Sequence, residues 1–503
     1  MSPAQLSDSS LPVQRNKAFT AVLAVELWER FGYYGMQAVL TVFMVQSLHM
    51  QDTDINLMLG AFAVLAYSLP IIGGLVGDRY LGTRPTLVMG AVGLTTGYGL
   101  LAVSLHEKTL FLPALALIAL SNGLFKPNAG ALVRCIYASD ETALDAAFTL
   151  YYMSINVGSV ISMILLPWVQ TQWGPSTAFG GCVLGLIIGL GVYSWQSSWL
   201  TPFAPSRCPR QKNPLFFSVA FLLILMVLWV GSVMMLSRPA VARSGVIGAG
   251  VILTGVWIFL FAKAKSSEKP GLSLTCLLGL QTVAYQIFFQ QMQTSLTLFA
   301  LRAVSGQFTL GPFKLFTLSA GQFYALNPFW IMVFGPLLAW LYRHWAQNGR
   351  DIALFYKILC GYGFVGIGFL VWWLSAKMAT GLVSPWVMVV GYGLVSFGEI
   401  LTVGLGLSII AKYAPARMNA VLMGALYMLW GIGMYVGSLV ANGAALPSEI
   451  SQKVMAPLYA PLFGHLFVGA VILCLILIAL LPVVKRLDEA HHRLLGMPHR
   501  VKP

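Results

Sequence analysis

The sequence predicts an all-α membrane protein with two six-helix bundles and two further helices between them, and three observations carry that prediction. The chain is 58% hydrophobic and 9% charged, with a mean hydropathy of +0.79, far outside the range of soluble domains. Apolar stretches of about twenty residues or more, the length that crosses a bilayer core, recur from end to end. Lys and Arg concentrate in alternate loops, as the positive-inside rule requires.

The first bundle takes spans at 18–48, 55–77, 85–105, 109–134, 142–170 and 174–197. A polar linker with Pro and Arg, Thr201 to Asn213, closes it. Two spans, 214–236 and 244–263, then hold few polar residues beyond Ser, Thr and Trp, and a charged stretch from Lys263 to Lys269 follows. The second bundle takes 271–302, 318–342, 351–376, 384–412, 418–443 and 457–483. About fourteen helices result. The domain plan is an N-terminal tail at 1–17, a bundle at 18–200, a linker with two helices at 201–269, a bundle at 270–483 and a basic tail at 484–503. The polar tail at 1–17 has no apolar h-region, so the first span is expected to direct insertion itself.

With both termini cytoplasmic, Arg79, Arg84, Arg134, Lys263, Lys265, Arg343, Lys412 and Lys485 fall on one side. Lys108, Arg238, Arg302, Lys314 and Lys377 fall on the other, and over all short loops the bias is roughly three to one. Topology therefore explains the net charge of +14, and no nucleic-acid partner is needed. The six cysteines, Cys135, Cys182, Cys208, Cys276, Cys360 and Cys474, stand singly with neither CxxC nor metal spacing. They are expected to pack as small apolar side chains.

The first span carries Glu26, Glu29 and Arg30 and then Phe31, Tyr33 and Tyr34. Positions three and four apart share a helix face. Inside a bilayer such a charged face is tolerated where it lines protein or water. A third carboxylate without a partner is a poor packing device, so the cluster reads as functional. Histidines offer little chemistry, and His465 in the last span reads as a packing residue.

After the second span, Gly73-Gly74-Leu75-Val76-Gly77-Asp78-Arg79-Tyr80-Leu81-Gly82-Thr83-Arg84 resembles the loop signature of the major facilitator superfamily. Its glycines allow close helix approach, and Asp78 stands where it could meet a neighbouring helix end and hold the cytoplasmic side shut. The equivalent segment of the second half, Gly335 to Arg343, has lost the aspartate. Within that superfamily, Glu26-Leu27-Trp28-Glu29-Arg30-Phe31-Gly32-Tyr33-Tyr34-Gly35 resembles the ExxERFxYYG signature of the proton-dependent oligopeptide transporters. Phe125-Lys126-Pro127-Asn128, Tyr152-Met153-Ser154-Ile155-Asn156 and Gly398-Glu399-Ile400 support the match. The extra pair of helices resembles bacterial members.

The resemblance implies a proton-coupled importer of di- and tripeptides in the bacterial inner membrane, needing no cofactor beyond protons and working as a monomer. Residue chemistry agrees. A peptide is a zwitterion, so its site needs a cation and an anion about one short peptide apart. Arg30 and Lys126 lie in the first half and Glu399 in the second, so the peptide is expected to span the two halves near mid-membrane. Tyr33, Tyr34, Tyr67, Asn156 and Asn327 supply neutral hydrogen bonds to its backbone, or else bond helix to helix. Three carboxylates against two cations leave one negative charge, which one proton neutralises, and Glu26 and Glu29 are the candidates to carry it.

The chain departs from the family at Gln37 and Gln290, where many relatives carry an arginine and a glutamate as an extracellular gate pair. A tryptophan common in relatives corresponds to Leu426, with Trp430 one turn on. The two glutamines keep open a carrier for another small anion or amino-acid-like solute. An enzyme would need a metal or nucleophile constellation, and the sequence has no HExxH, no Asp-rich metal motif and no Ser/His/Asp arrangement. A channel would more often build its pore on an oligomer axis.

Overall fold

The computed structural model describes residues 11–138, 140–204, 214–347, 354–445 and 452–494. Among the described residues sixteen α-helices run in order: α1 (Leu11–Gln46), α2 (Asp52–Leu75), α3 (Thr83–Val103), α4 (Phe111–Ile136), α5 (Glu141–Trp173), α6 (Pro175–Gln196), α7 (Pro214–Ser237) and α8 (Pro239–Lys263). They continue with α9 (Lys269–Gln290), α10 (Ser295–Ala303), α11 (Leu326–Gln347), α12 (Leu354–Met378), α13 (Trp386–Thr402), α14 (Gly406–Tyr413), α15 (Asn419–Ala441) and α16 (Gln452–Leu494). Among the described residues twelve helices are long and apolar enough to cross a bilayer. The charged α1 and the discontinuous α13–α14 bring the spans to fourteen.

Two spans that read as continuous are broken. Gln291–Thr294 separates α9 from α10, and Val403–Leu405 separates α13 from α14. In a bilayer the freed backbone groups need protein partners. At the first break Gln291 Nε2 donates to Ile287 O at 2.9 Å and Thr294 Oγ1 to Gln290 O at 2.8 Å, and the same Gln291 amide ties the break to α15 by donating to Gly437 O at 2.9 Å. A short antiparallel hairpin, β1 (Gln307–Leu310) with β2 (Phe313–Thr317), follows α10 in a stretch that read as loop. Gly311 turns it at φ +59°, a conformation that suits glycine. The last helix runs 43 residues, about 65 Å, so it continues past 483 into the stretch that read as tail. Tyr413 donates to Asp488 there at 3.0 Å.

The chain divides into two compact units, Met1–Met50 with Ala61–Ala242, and Gln51–Gly60 with Arg243–Pro503. The two middle helices therefore part company. In the first unit α7 lies against α4, with Trp229 Nε1 donating to Pro113 O at 3.1 Å. There α1 packs on α5 and α6, and α3 on α4. Phe43 meets Phe111 and Phe179 edge-on in its core. The second unit packs α12 on α13 and α16, and α9 on α15, around Phe299, Phe369, Trp372 and Phe463. The opening turns of α2 belong to this unit, where Arg302 Nη2 donates to Asp52 Oδ1 at 2.7 Å and Asn56 donates to Asn442 at 2.9 Å.

Of the cysteines, Cys182 is buried as expected, whereas Cys135 and Cys360 are exposed and Cys276 and Cys474 intermediate. An exposed thiol has no core to pack against, so burial as a small apolar side chain holds for Cys182 and not for Cys135 or Cys360. Cys208 and the linker from 205 to 213 lie outside the described residues. His465 is exposed on α16, so it does not pack a core.

Gly158 lets α5 close on α1 beside the charged cluster. A Cβ there would stand 2.6 Å from Leu27 O and 3.3 Å from Phe31 N, backbone atoms that cannot swing aside. Gly158→Ala is expected to destabilise the purified protein by about 1–3 kcal/mol, read as a lower thermal midpoint in detergent. An unchanged midpoint would show that the helices can separate at no cost.

Candidate functional site

The charged face of α1 is fully buried. Glu26, Glu29 and Arg30 are 1%, 0% and 2% exposed. Arg30 Nε donates to Glu26 Oε1 at 2.9 Å and lies 2.7 Å from Glu29 Oε2, an ion-pair contact without an aligned hydrogen. Both carboxylates thus share one guanidinium, which corrects the reading of a carboxylate left unpaired: positions four and one before Arg30 both reach its head group. Glu29 also accepts from Asn122 Nδ2 of α4 at 3.0 Å. Arg30 Nη2 is buried without a hydrogen-bond partner.

The aromatic wall of this cluster is made by the tyrosines that the motif singled out. Tyr33 stacks with Phe62 and meets Tyr34 edge-on, with the Arg30 guanidinium 5.8 Å from its ring. Lys126 Nζ lies 5.1 Å from the Tyr67 ring centre. Lys126 stands just before Pro127, which is inside α4 and cannot donate to the Gly123 carbonyl. That segment abuts α2, since a Cβ at Gly73 would fall on Gly123 O. Asn128 fastens the contact by donating to Gly73 O at 3.0 Å. Asn156 is buried on α5, and its amide donates to Tyr152 O one turn back at 2.9 Å, which uses one of its two amide hydrogens.

In the second unit Glu399 sits on α13, made possible by Gly398, where a Cβ would stand 2.6 Å from Gly361 O of α12. Asn327, at the start of α11, donates to Glu399 Oε2 at 2.7 Å, and Tyr285 of α9 points its hydroxyl at the same oxygen at 3.4 Å. Asn327 also donates to Ser396 Oγ at 3.0 Å. Among the described residues no cation stands within ion-pair distance of Glu399. A carboxylate held only by neutral donors keeps the capacity to pair with a cationic group. Gln281 of α9 is buried with neither amide atom bonded, a polar group in search of a partner.

The expected gate residues are distributed less simply. Asp78 is exposed on a single π-helical turn, Val76–Tyr80, and makes no hydrogen bond or ion pair among the described residues. Gln37 is partly buried on α1. Gln290 is fully buried, and its Nε2 donates to Ser438 of α15 at 3.0 Å. Trp430 Nε1 donates to Thr282 at 2.7 Å.

Sequence reasoning missed Asn122 and Tyr285. Asn122 lay in view one turn before Lys126 on the same helix face, whereas Tyr285 has no local signal tying it to Glu399. No group of three His, Cys, Asp or Glu able to hold a metal occurs among the described residues.

A model of the POT family matches residues 84–455. Dipeptide and tripeptide permease A of Salmonella typhimurium is 34% identical over 447 residues, 88% of this chain and 86% of that protein. The permease of the same name from Proteus mirabilis is 34% identical over 486 residues, 94% of this chain and 96% of its own. Among solved structures, a bacterial homologue of the human drug peptide transporters PepT1 and PepT2 superposes with a TM-score of 0.81 at 39% identity, covering 94% of this chain and 99% of that one. Tetrameric PepTSo2 gives a TM-score of 0.84 at 41% identity with the same coverage.

Proposed function

We infer the transport cycle from one premise: the chain belongs to the POT family. It is a proton-coupled symporter that imports di- and tripeptides by alternating access, a multi-pass membrane protein and not an enzyme. Both termini are cytoplasmic, the membrane is the bacterial inner membrane, and one copy carries out transport; the loop charge bias supports the orientation.

The observation that carries the residue assignment is the single guanidinium shared by two buried carboxylates, with Nη2 left unbonded. A peptide carboxylate arriving at Arg30 and Lys126 competes with Glu26 and Glu29 for that guanidinium. A carboxylate that loses its counter-charge in a poorly solvated place binds a proton. Peptide entry and proton uptake are thereby linked at Arg30, and Glu26 and Glu29 carry the proton. Glu399, held by Asn327 and Tyr285, reads the peptide amine. Tyr33, Tyr34, Tyr67 and Asn156 line the peptide backbone, which explains tolerance of many side chains. Asp78 holds the cytoplasmic side shut when that side closes.

Purified protein in proteoliposomes, acid outside, is expected to accumulate labelled dialanine above the outside concentration and to stop when a protonophore collapses the gradient. Equilibration without accumulation would overturn proton coupling. Free alanine competing as well as dialanine would favour the amino-acid-like alternative.

The glutamine pair gives a second test. We propose that Gln37 and Gln290 replace a charged outer gate, so an amide contact stands where long-range attraction would otherwise act. Gln37→Arg alone or Gln290→Glu alone leaves an unpaired charge in a confined site and should impair uptake. The double variant is expected to recover much of it. A defect equal to the sum of the single defects would show that these side chains do not meet.

A further inference from the structure

A cleft of about 250 Å³ lies between α8 and the helices α9, α14 and α15, wholly within the second unit. Leu253, Trp257, Leu280, Leu422, Ala425 and Leu429 are among its walls. None of the most apolar window of α8 is buried by protein, so this helix stands off its bundle and needs an apolar filling that the chain does not supply. In a bilayer that filling is hydrocarbon.

One end of the cleft is strongly basic. Leu253 and Trp257 lie six to ten residues before Lys263, about 9–15 Å along α8. Cys276 lies about 10 Å beyond Lys269 along α9, and Ile410 is two residues before Lys412. Arg417 Nη2 meets Glu268 Oε2 at 2.6 Å, which ties the α14–α15 connection to the turn before α9 and puts these basic residues at the same end. Lys263, Lys265 and Lys412 are exposed there. Of the nearby acids, Glu268 is paired with Arg417 and Glu489 with Arg493, while Asp488 accepts from the Tyr413 hydroxyl and lies 3.5 Å from His492.

We propose that this cleft holds one acyl chain of an anionic phospholipid, whose phosphate headgroup is taken by Lys263, Lys265, Lys269 and Lys412. The apolar walls and the lysine rim are stacked along the membrane normal in the order of a lipid's chain and headgroup, and basic clusters at helix ends select anionic lipid. A lipid seated there wedges α8 against α9 and α15.

Native mass spectrometry of the full chain in detergent with equimolar dioleoylphosphatidylglycerol and dioleoylphosphatidylcholine tests this. Phosphatidylglycerol is expected to be retained about fivefold or more over phosphatidylcholine. The K263Q/K265Q/K412Q variant should lose that preference, while Lys377→Gln, at the opposite end of the bundle, keeps it. Ala425→Trp, which fills the cleft, should lower retention of both lipids. Should that variant fail to fold, phosphatidylglycerol brominated on its acyl chains must quench the wild type more than Trp257→Phe. Equal retention of the two lipids by wild type, or a preference untouched by the triple variant, overturns the proposal. So does displacement by millimolar inorganic phosphate, which would mark a free-anion site, or a cleft-filling variant with full retention, which would place the lipid elsewhere.

Discussion

Glu29→Gln is expected to reduce gradient-driven peptide accumulation to the level seen without a pH gradient, while counterflow exchange of peptide persists. The substitution keeps the shape of the side chain and its contact with Asn122 but removes the charge that competes with Glu26 for Arg30. The guanidinium is then matched by one carboxylate, and substrate arrival no longer frees a second one to bind a proton. Binding and the conformational cycle do not need that proton once the negative charge is gone, so exchange survives. Glu26→Gln should behave alike, because Arg30 Nε donates to Glu26. The measurement is uptake of labelled dialanine into proteoliposomes at fixed outside peptide, with and without an acid exterior, beside counterflow in the same preparation. Full accumulation by Glu29→Gln would remove the first-helix carboxylates from the coupling step.

The same cluster shows what the sequence made legible. Fourteen spans were readable because a helix must satisfy its backbone within the bilayer, which forces long apolar runs. Charge within such a run is equally conspicuous, so Glu26, Glu29, Arg30, Lys126 and Glu399 stood out. Which carboxylate pairs with Arg30 was not legible, since spacings of one and four residues both bring a flexible head group into reach. The breaks at Gln291–Thr294 and Val403–Leu405 were hidden for a different reason. The residues of the first break are ordinary in a helix, a single Gly404 in the second is common in membrane spans, and the α15 carbonyl that anchors the first break, Gly437, lies far along the chain. The same holds for Tyr285 and Glu399, which meet through tertiary packing alone. The hairpin did leave a trace, a Gly311-Pro312 turn between short alternating stretches, that a search for long spans passes over. Gln290 shows the limit of substitution logic: losing a charge says nothing of the new partner, which is Ser438.

The second large effect follows from giving each end of the peptide its own counter-charge. Glu399 is held by two neutral donors and meets no cation among the described residues, whereas Lys126 and Arg30 sit in the other unit beside tyrosine rings. Stripping one member from a poorly solvated charge pair costs on the order of 3–5 kcal/mol, so Lys126→Ala and Glu399→Ala should each weaken peptide binding by roughly two to four orders of magnitude. Loss of affinity alone does not say which end each residue reads. Acetylation of the peptide amine removes the positive charge from the ligand, as Glu399→Ala removes the negative charge from the protein, and the two losses should overlap. Acetyl-dialanine is expected to bind wild type far more weakly than dialanine, yet to bind Glu399→Ala almost as well as dialanine does. In Lys126→Ala the penalty for acetylation should remain whole, because its partner is at the other end. Competition of each ligand against labelled dialanine in the three proteins measures all the corners of the cycle. An acetylation penalty that is the same in wild type and in Glu399→Ala would assign the amine to another group, and the unbonded amide of Gln281 would be the next side chain to test.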